Sequence, residues 1–285
     1  MIGLVERKKA KLRMALTGVS GAGKTLSALY IAYGITQDWG KIALIDTEHE
    51  RGRFYAERED LGTGTFLYAP LVPPYSADRY ITLVKEAEQA VGENGVVIID
   101  SLSHGWNNAG GVLDYKDKIA AQQGKNSFTA WNEAGKVQNG LINTILSVDC
   151  HTIVTMRSKM EYATQENEKG KKEIVKMGLS PVQREDTEYE FDIVFDIARN
   201  HVATTSKDTT FLDQFNEIIT PELGKSLRKW LEEGKEPERC AECGKVIRAA
   251  RGKTAAECMK YSQEHYEKNL CINCIQQHLK SDRTA

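Results

Sequence analysis

The stretch Gly18-Val19-Ser20-Gly21-Ala22-Gly23-Lys24-Thr25 constrains this chain more than any other, because it fills every fixed position of the pattern G-x-x-x-x-G-K-[ST]. That pattern has physical meaning only between a strand and a helix. Both flanks are present: Leu12 to Thr17 reads as a short buried strand, and Leu26 to Tyr33 as an apolar helix halted by Gly34. The backbone of Gly18, Ser20, Gly21, Ala22 and Gly23 is therefore expected to turn its N–H groups around a di- or triphosphate, with the positive end of the helix aimed at the same anion. Lys24 is expected to reach the β- and γ-phosphates, and Thr25 to offer its hydroxyl to Mg²⁺. The chain should bind a nucleoside triphosphate.

Two further apolar runs end in acid, as parallel strands buried on both faces do. Lys41 to Asp46 delivers Asp46-Thr47-Glu48-His49 to the ligand-binding end of a sheet, and Val96 to Asp100 has the Walker B form, whose carboxylate holds the water shell of Mg²⁺. Thr25 and Asp100 are thus the expected Mg²⁺ residues. A hydrolysing site also needs a group that positions or deprotonates water, and Glu48 is the best candidate because it follows a core strand.

More strands are expected at Phe66 to Ala69, His151 to Met156, Phe191 to Ile197 and His201 to Ser206. Ser76 should cap an amphipathic helix carrying Ile81, Val84, Ala87 and Val91. Phe128 to Ser147 has helical period and would bury Trp131, Ala134, Val137, Leu141 and Ile145 on one face. Between these, His104 to Ser127 carries glycines, adjacent asparagines and scattered lysines without a sustained period, and reads as a long loop with a short helix near Ile119. Glu161 to Met177, centred on Glu168-Lys169-Gly170-Lys171-Lys172, reads as a mobile β-hairpin or a disordered loop. Thr220-Pro221-Glu222 opens a closing helix with Leu223, Leu227, Trp230 and Leu231 on one face, ended by Gly234.

Composition limits what else the chain can be. With 285 residues, 41% apolar and 27% charged, it has room for one large domain and a small appendage. A net charge of −2 gives no global attraction to nucleic acid, so any such contact must be local. The first residues lack a signal-peptide core and no apolar run approaches a membrane span, so a cytoplasmic protein without a membrane partner is expected. Cysteines would then be reduced thiols or metal ligands. Four of the six lie near the carboxyl terminus as Cys240-x-x-Cys243 and Cys271-x-x-Cys274, a set suited to tetrahedral Zn²⁺. Gly244 fits a knuckle after the first pair, and a helix should start at the second. Cys258, His265 and His278 are expected bystanders, and Cys150 a buried filler. The organisation predicted is an arm at 1–11, an α/β core at 12–234, a linker at Lys235-Glu236-Pro237-Glu238-Arg239 and a zinc-binding module at 240–285.

The segment Ile45-Asp46-Thr47-Glu48-His49 is similar to that of RecA-like recombinases. More closely, Asp100-Ser101-Leu102-Ser103-His104-Gly105-Trp106, Met156-Arg157-Ser158-Lys159, Pro181-Val182-Gln183-Arg184, Glu188-Tyr189-Glu190-Phe191-Asp192 and Ser206-Lys207-Asp208 resemble the RecA-like ATPases of bacteriophages that promote single-strand annealing and recombination. The resemblance implies a RecA-like P-loop fold with a mainly parallel sheet, ATP as nucleotide, Glu48 as general base, and head-to-tail homo-oligomers in a ring or filament. It implies a trans-acting cation, with Lys207 the candidate and Arg157 the alternative, the latter sensing the γ-phosphate in cis. It also implies single-stranded DNA held by His104 to Ser127 and Lys159 to Met177, where Trp106 and Tyr115 either stack on bases or anchor packing. A single-strand-binding or recombination protein is a further implied partner. Rival readings are a helicase-type motor, a nucleotide-gated loading factor that scarcely hydrolyses ATP, and, more weakly, a kinase.

Overall fold

In the computed structural model, which describes residues 4–166, 172–250 and 252–281, the chain divides into two units. One runs from Lys11 to Trp230, and the other combines the first ten residues with the chain from Leu231 onward. Among the described residues no helix is long and apolar enough to cross a membrane.

The large unit is built on one sheet. Its strands are β1 (Arg13–Gly18), β2 (Ile42–Asp46), β3 (Leu67–Pro70), β4 (Val96–Asp100), β5 (His151–Glu166), β6 (Lys172–Pro181), β7 (Ile193–Ile197), β8 (Val202–Asp208) and β9 (Asn216–Ile218). The order is β3-β2-β4-β5-β1-β7-β8-β9, with β6 paired to the outer part of β5. From β3 to β7 all neighbours are parallel, while β8, β9 and β6 pair antiparallel. The all-apolar runs have the expected cause: β1, β2 and β4 are buried at every position, because helices cover both faces.

The helices are α1 (Lys24–Thr36), α2 (Ala77–Val91), α3 (Ser103–Asn107), α4 (Val112–Ala120), α5 (Ser127–Ser147) and α6 (Pro221–Leu231). α2 and α5 pack together over Ala15, Ile45, Val97, Ile99 and Val154, while α1 packs on β1, β2, β4 and β5. At the end of α5, buried Arg13 collects the carbonyls of Leu146 and Val148, groups that a helix terminus leaves without partners, and that of Cys150 in the turn beyond.

Several expectations need correction. Gly34 does not stop α1, which continues to Thr36; a Cβ there would lie 2.1 Å from the Pro221 carbonyl oxygen and 2.6 Å from the Gly224 Cα, so this glycine lets α6 pack backbone to backbone. His104 to Ser127 is not one long loop: it holds most of α3, and α4 is the short helix expected near Ile119, with Gly110, at φ 82°, at the junction between them. Trp131 is not core but 42% exposed, and the buried face of α5 takes Gln138 instead. The closing helix stops at Leu231 rather than Gly234. Glu161 to Met177 takes the hairpin form of its two alternatives, with β5 and β6 paired from Ser158↔Pro181 to Glu166↔Lys172. The expected centre at 168–171 lies outside the described residues.

In the smaller unit Lys235 donates its backbone N–H to Arg7 and accepts one from Lys9, so the expected linker begins inside a pairing with the amino-terminal segment. Beyond it, α7 (Ala255–Tyr266) and α8 (Ile272–Ser281) pack around Ile247, Leu270 and Ile275. The Gly34 contact predicts that Gly34→Ala lowers stability by about 1–3 kcal/mol through overpacking. Gly140, in α5 with open space at its Cβ position, should gain about 0.5–1 kcal/mol as Gly140→Ala. Denaturant midpoints of the two variants would show the opposite signs.

Candidate functional site

The phosphate loop is shaped by steric necessity. β1 ends at Gly18 with φ 153°, where a Cβ would lie 2.5 Å from the Ile197 carbonyl oxygen. Gly23, at φ 92°, caps α1 in the left-handed region, facing His201, whose Nδ1 lies 3.0 Å from the Ala22 carbonyl oxygen. Lys24 folds back over the loop and donates to the carbonyls of Gly18 (2.9 Å) and Val19 (3.0 Å). Burial draws its pKa down, and the charges of Asp100 and Glu48 oppose that shift. A partly desolvated ammonium therefore stands at the mouth of the loop, where an anion would restore its preference for charge.

Thr25 and Asp100 are brought together: Thr25 Oγ1 donates to Asp100 Oδ2 at 2.5 Å, and Thr155 donates to the other carboxylate oxygen. Burial pushes the Asp100 carboxyl up; the two threonines oppose this, and the charges of Glu48 and Asp46 add to it. A desolvated carboxylate beside two more acids and a threonine hydroxyl is an oxygen-donor set that fits Mg²⁺, which takes one or two protein ligands and fills its remaining positions with phosphate and water.

Glu48 reaches this site through strand register. Asp46 on β2 stands opposite Asp100 on β4, and Glu48 follows two residues later. Asp46 itself builds the turn: it accepts the N–H of Glu48 (2.6 Å) and Gly52 (2.7 Å) and the Tyr68 hydroxyl (2.9 Å). Glu48 is gripped by Arg157 through Nε (2.8 Å) and a second guanidinium contact, and accepts from Ser101 Oγ at 3.1 Å. Burial raises the Glu48 carboxyl, but the Arg157 hydrogen bonds and charge outweigh it and hold the group below its ordinary range. His104 is buried with Nε2 at 3.8 Å from Glu48, stacks on Tyr75 and holds Nδ1 at 2.7 Å from Thr47 Oγ1. Burial lowers its pKa, so at neutral pH it packs against Glu48 as an uncharged ring.

Lys24, Thr25, Glu48, Asp100 and Arg157 thus share one site. Lys207 does not join them. It pairs with Val194 on β7, whereas the phosphate loop lies beside Ile197, and its ammonium donates to the Tyr189 carbonyl. Thr47, His104, Thr155 and His201 support the site without having been singled out for it from sequence. The available signal was positional: Thr47 directly follows β2, and Thr155 sits near the end of the apolar run His151 to Met156 with which β5 begins.

In the smaller unit the Sγ atoms of Cys240, Cys243, Cys271 and Cys274 all lie within 4.8 Å of one another, and Cys243 and Cys271 are 3.7 Å apart. A tetrahedron with Zn–S bonds of ~2.3 Å has sulfur separations of ~3.8 Å, so the cluster fits Zn²⁺. Gly244 closes the first turn on Cys240 (2.9 Å), and α8 begins between the second pair. Burial raises the Cys240 thiol, yet backbone hydrogen bonds from Cys243, Cys271 and Glu242 bring it down to about 6. Cys258 is buried in the same small core as Cys240 and Cys274 but is not among the four clustered thiols, His265 contacts the Tyr261 carbonyl, and His278 pairs with Glu242 at 2.8 Å. In the large unit, Cys150 is fully buried, with its thiol pushed up to about 12 by desolvation.

Residues 10–219 match the family model described as an AAA domain. No curated protein matches the chain. The matched segment runs from before β1 through β9, and contains the phosphate loop, both acid-bearing strands and Arg157. The nucleotide site therefore lies wholly inside it, and the chain belongs to the AAA domain family of P-loop ATPases.

Proposed function

We propose that this chain is an Mg²⁺-dependent ATP hydrolase of the RecA-like kind, acting on single-stranded DNA in recombination or strand annealing as the phage proteins it resembles do. AAA membership carries nucleotide-dependent ATPase activity in general; the observation that supports the finer reading is Glu48, poised beside Asp100 and held by Arg157. In this reading the N–H groups of the loop and Lys24 bind the phosphates. Thr25 and Asp100 would hold Mg²⁺, which supplies charge neutralisation between the β- and γ-phosphates. Glu48 orients the attacking water and accepts its proton as the γ-phosphoryl group transfers, and Arg157 faces the developing charge. Lys207, far from its own phosphate loop, is proposed to reach the site of a neighbouring subunit.

One observation favours a second reading. The Glu48 carboxylate is already engaged by Arg157, which would slow its service as a base and suits a nucleotide-gated loading factor. ATP turnover with and without single-stranded DNA separates the two. The hydrolase reading expects DNA-stimulated turnover that falls to background in Lys24→Ala and drops about 10²–10⁴-fold in Glu48→Gln with ATP still bound. Native turnover equal to that of Lys24→Ala would remove it, and full annealing by Glu48→Gln would favour the loading factor.

The pH profile is a second check. A base must be ionised, and Arg157 holds Glu48 below its ordinary 4.5, so native turnover should persist into mild acid. In Arg157→Ala burial loses its main opposition, the Glu48 pKa rises, and residual turnover should fall at higher pH than in the native protein. An unmoved acid limb would count against Glu48 as the base. For the cysteine cluster, metal analysis should find about one Zn²⁺ per chain, lost from the Cys240→Ser, Cys271→Ser double variant.

A further inference from the structure

A groove of about 850 Å³ opens between α3, α5 and the two chain segments at the base of the β5–β6 hairpin. The nucleotide chemistry uses none of its central residues. Trp106 and Trp131 line it with ring centroids 6.2 Å apart and planes inclined by 31°, and the ammonium of Lys116 lies 5.1 Å from the Trp131 ring centre. Trp131 leaves 42% of its surface to solvent on a helix that buries smaller residues.

A second, independent feature lies on the floor. Gln138 lines the groove at 1% exposure, and its Oε1 is buried without a hydrogen-bond partner. Turning the amide over would not repair this. Gln183 Oε1 accepts the backbone N–H of Arg184 (2.9 Å), while its Nε2 donates to the Leu102 carbonyl (3.3 Å), which fixes its orientation. Gln138 must therefore present Nε2 to Gln183 Oε1 (3.0 Å), leaving its own oxygen unpaired. An unpaired buried acceptor is destabilising, and a ligand bringing an N–H donor would relieve that cost.

The ligand these features describe has a flat face for the tryptophans, an N–H donor on its edge and negative charge for Lys159 and Arg184, which also line the groove. An unpaired nucleobase in a strand has all three. Every base carries a ring or exocyclic N–H on its pairing edge, available only when the base is not paired, and base stacking on an aromatic ring tolerates any sequence. We propose that this groove seats a base of single-stranded nucleic acid, stacked on Trp131 and Trp106 with its pairing edge at Gln138 Oε1. The proposal rests on the single-strand reading of function and adds the place and the mode of contact. Glu185, Asp186 and Glu190, on the same lining, repel phosphate and confine the strand to the tryptophan side.

The test is titration of the full-length protein with a single strand of about 16 nucleotides and with the same sequence as a duplex, following tryptophan emission and binding anisotropy. Quenching by the single strand and not by the duplex is expected. Trp131→Ala should weaken strand binding about tenfold, and Trp131→Phe, which keeps a stacking ring, should recover most of that loss. Strand binding that is equal in native and Trp131→Ala proteins would overturn the groove while leaving the single-strand function standing. Equal quenching by duplex, or a Trp131→Phe variant as weak as Trp131→Ala, would also overturn it. Native protein that binds no strand would end both readings.

Discussion

Asp100 is 4% exposed, with one carboxylate oxygen bonded to Thr25 on α1 and the other to Thr155 on β5. The geometry of the nucleotide site depends on this contact, and the contact depends on strand order. β5 lies between β1 and β4, so Thr155 stands beside Leu16 at the end of β1, and Ile99 opposite Val154 places Asp100 at the next level. Burying a carboxylate is costly, and two charge-assisted hydroxyl bonds of roughly 1.5–3 kcal/mol each offset only part of that cost. The balance shows as an Asp100 carboxyl shifted upward by desolvation. The sheet thus holds, at a fixed level, an acid that a divalent cation would stabilise.

The same register divides labour among the acids. Asp46 faces Asp100 across β2 and β4, yet both of its oxygens are spent on the turn that follows, fixing the backbone of Glu48. Glu48 is then the acid left with its carboxylate towards the site, and Arg157 keeps it ionised against the pull of burial. A bidentate guanidinium contact is directional as well as strong, so it sets where the carboxylate points. The uncharged His104 ring fills the space behind without competing for the proton.

Contiguous chemistry was legible in the sequence. The phosphate loop, the strands ending at Asp46 and Asp100, and the paired cysteines each state their role within a few residues, because the backbone conformation they need is local. What failed to show was set by contacts between distant segments. Gly34 looks like a helix stop because glycine disfavours helix, but the close approach of Gly224 and Pro221 decides the matter. The stretch after His104 looks like loop because its helices are short and its glycines frequent, although Gly110, Gly111 and Gly124 only join one helix to the next and Gly105 lies inside α3. Trp131 fits the apolar period of α5 and still lies 42% exposed, while the buried position two turns on is taken by Gln138, bonded to Gln183 from beyond the hairpin. No periodicity can register a partner 45 residues away.

Two short segments serve both the nucleotide site and the groove. Between Ser101 and Trp106 the chain gives a hydroxyl to Glu48 at one end and an aromatic ring to the groove at the other. Between Arg157 and Lys159 it gives a guanidinium to Glu48 and an ammonium to the groove. They are tied together, since the Arg157 N–H donates to Ser103 Oγ at 2.9 Å, and the Arg157 carbonyl in turn accepts from Val182, beyond β6, at 2.6 Å. There is little slack: a Cβ on Gly105 would lie 2.9 Å from the Tyr80 ring, so α3 cannot shift without its support moving too. Contiguity alone does not couple two sites; coupling requires an element with two arrangements that both sites bias. The structure shows the Glu48–Arg157 pair in one arrangement, so what the two sites share is proximity: Gln183 Nε2 donates to the carbonyl of Leu102, the residue next to Ser101, whose hydroxyl reaches Glu48.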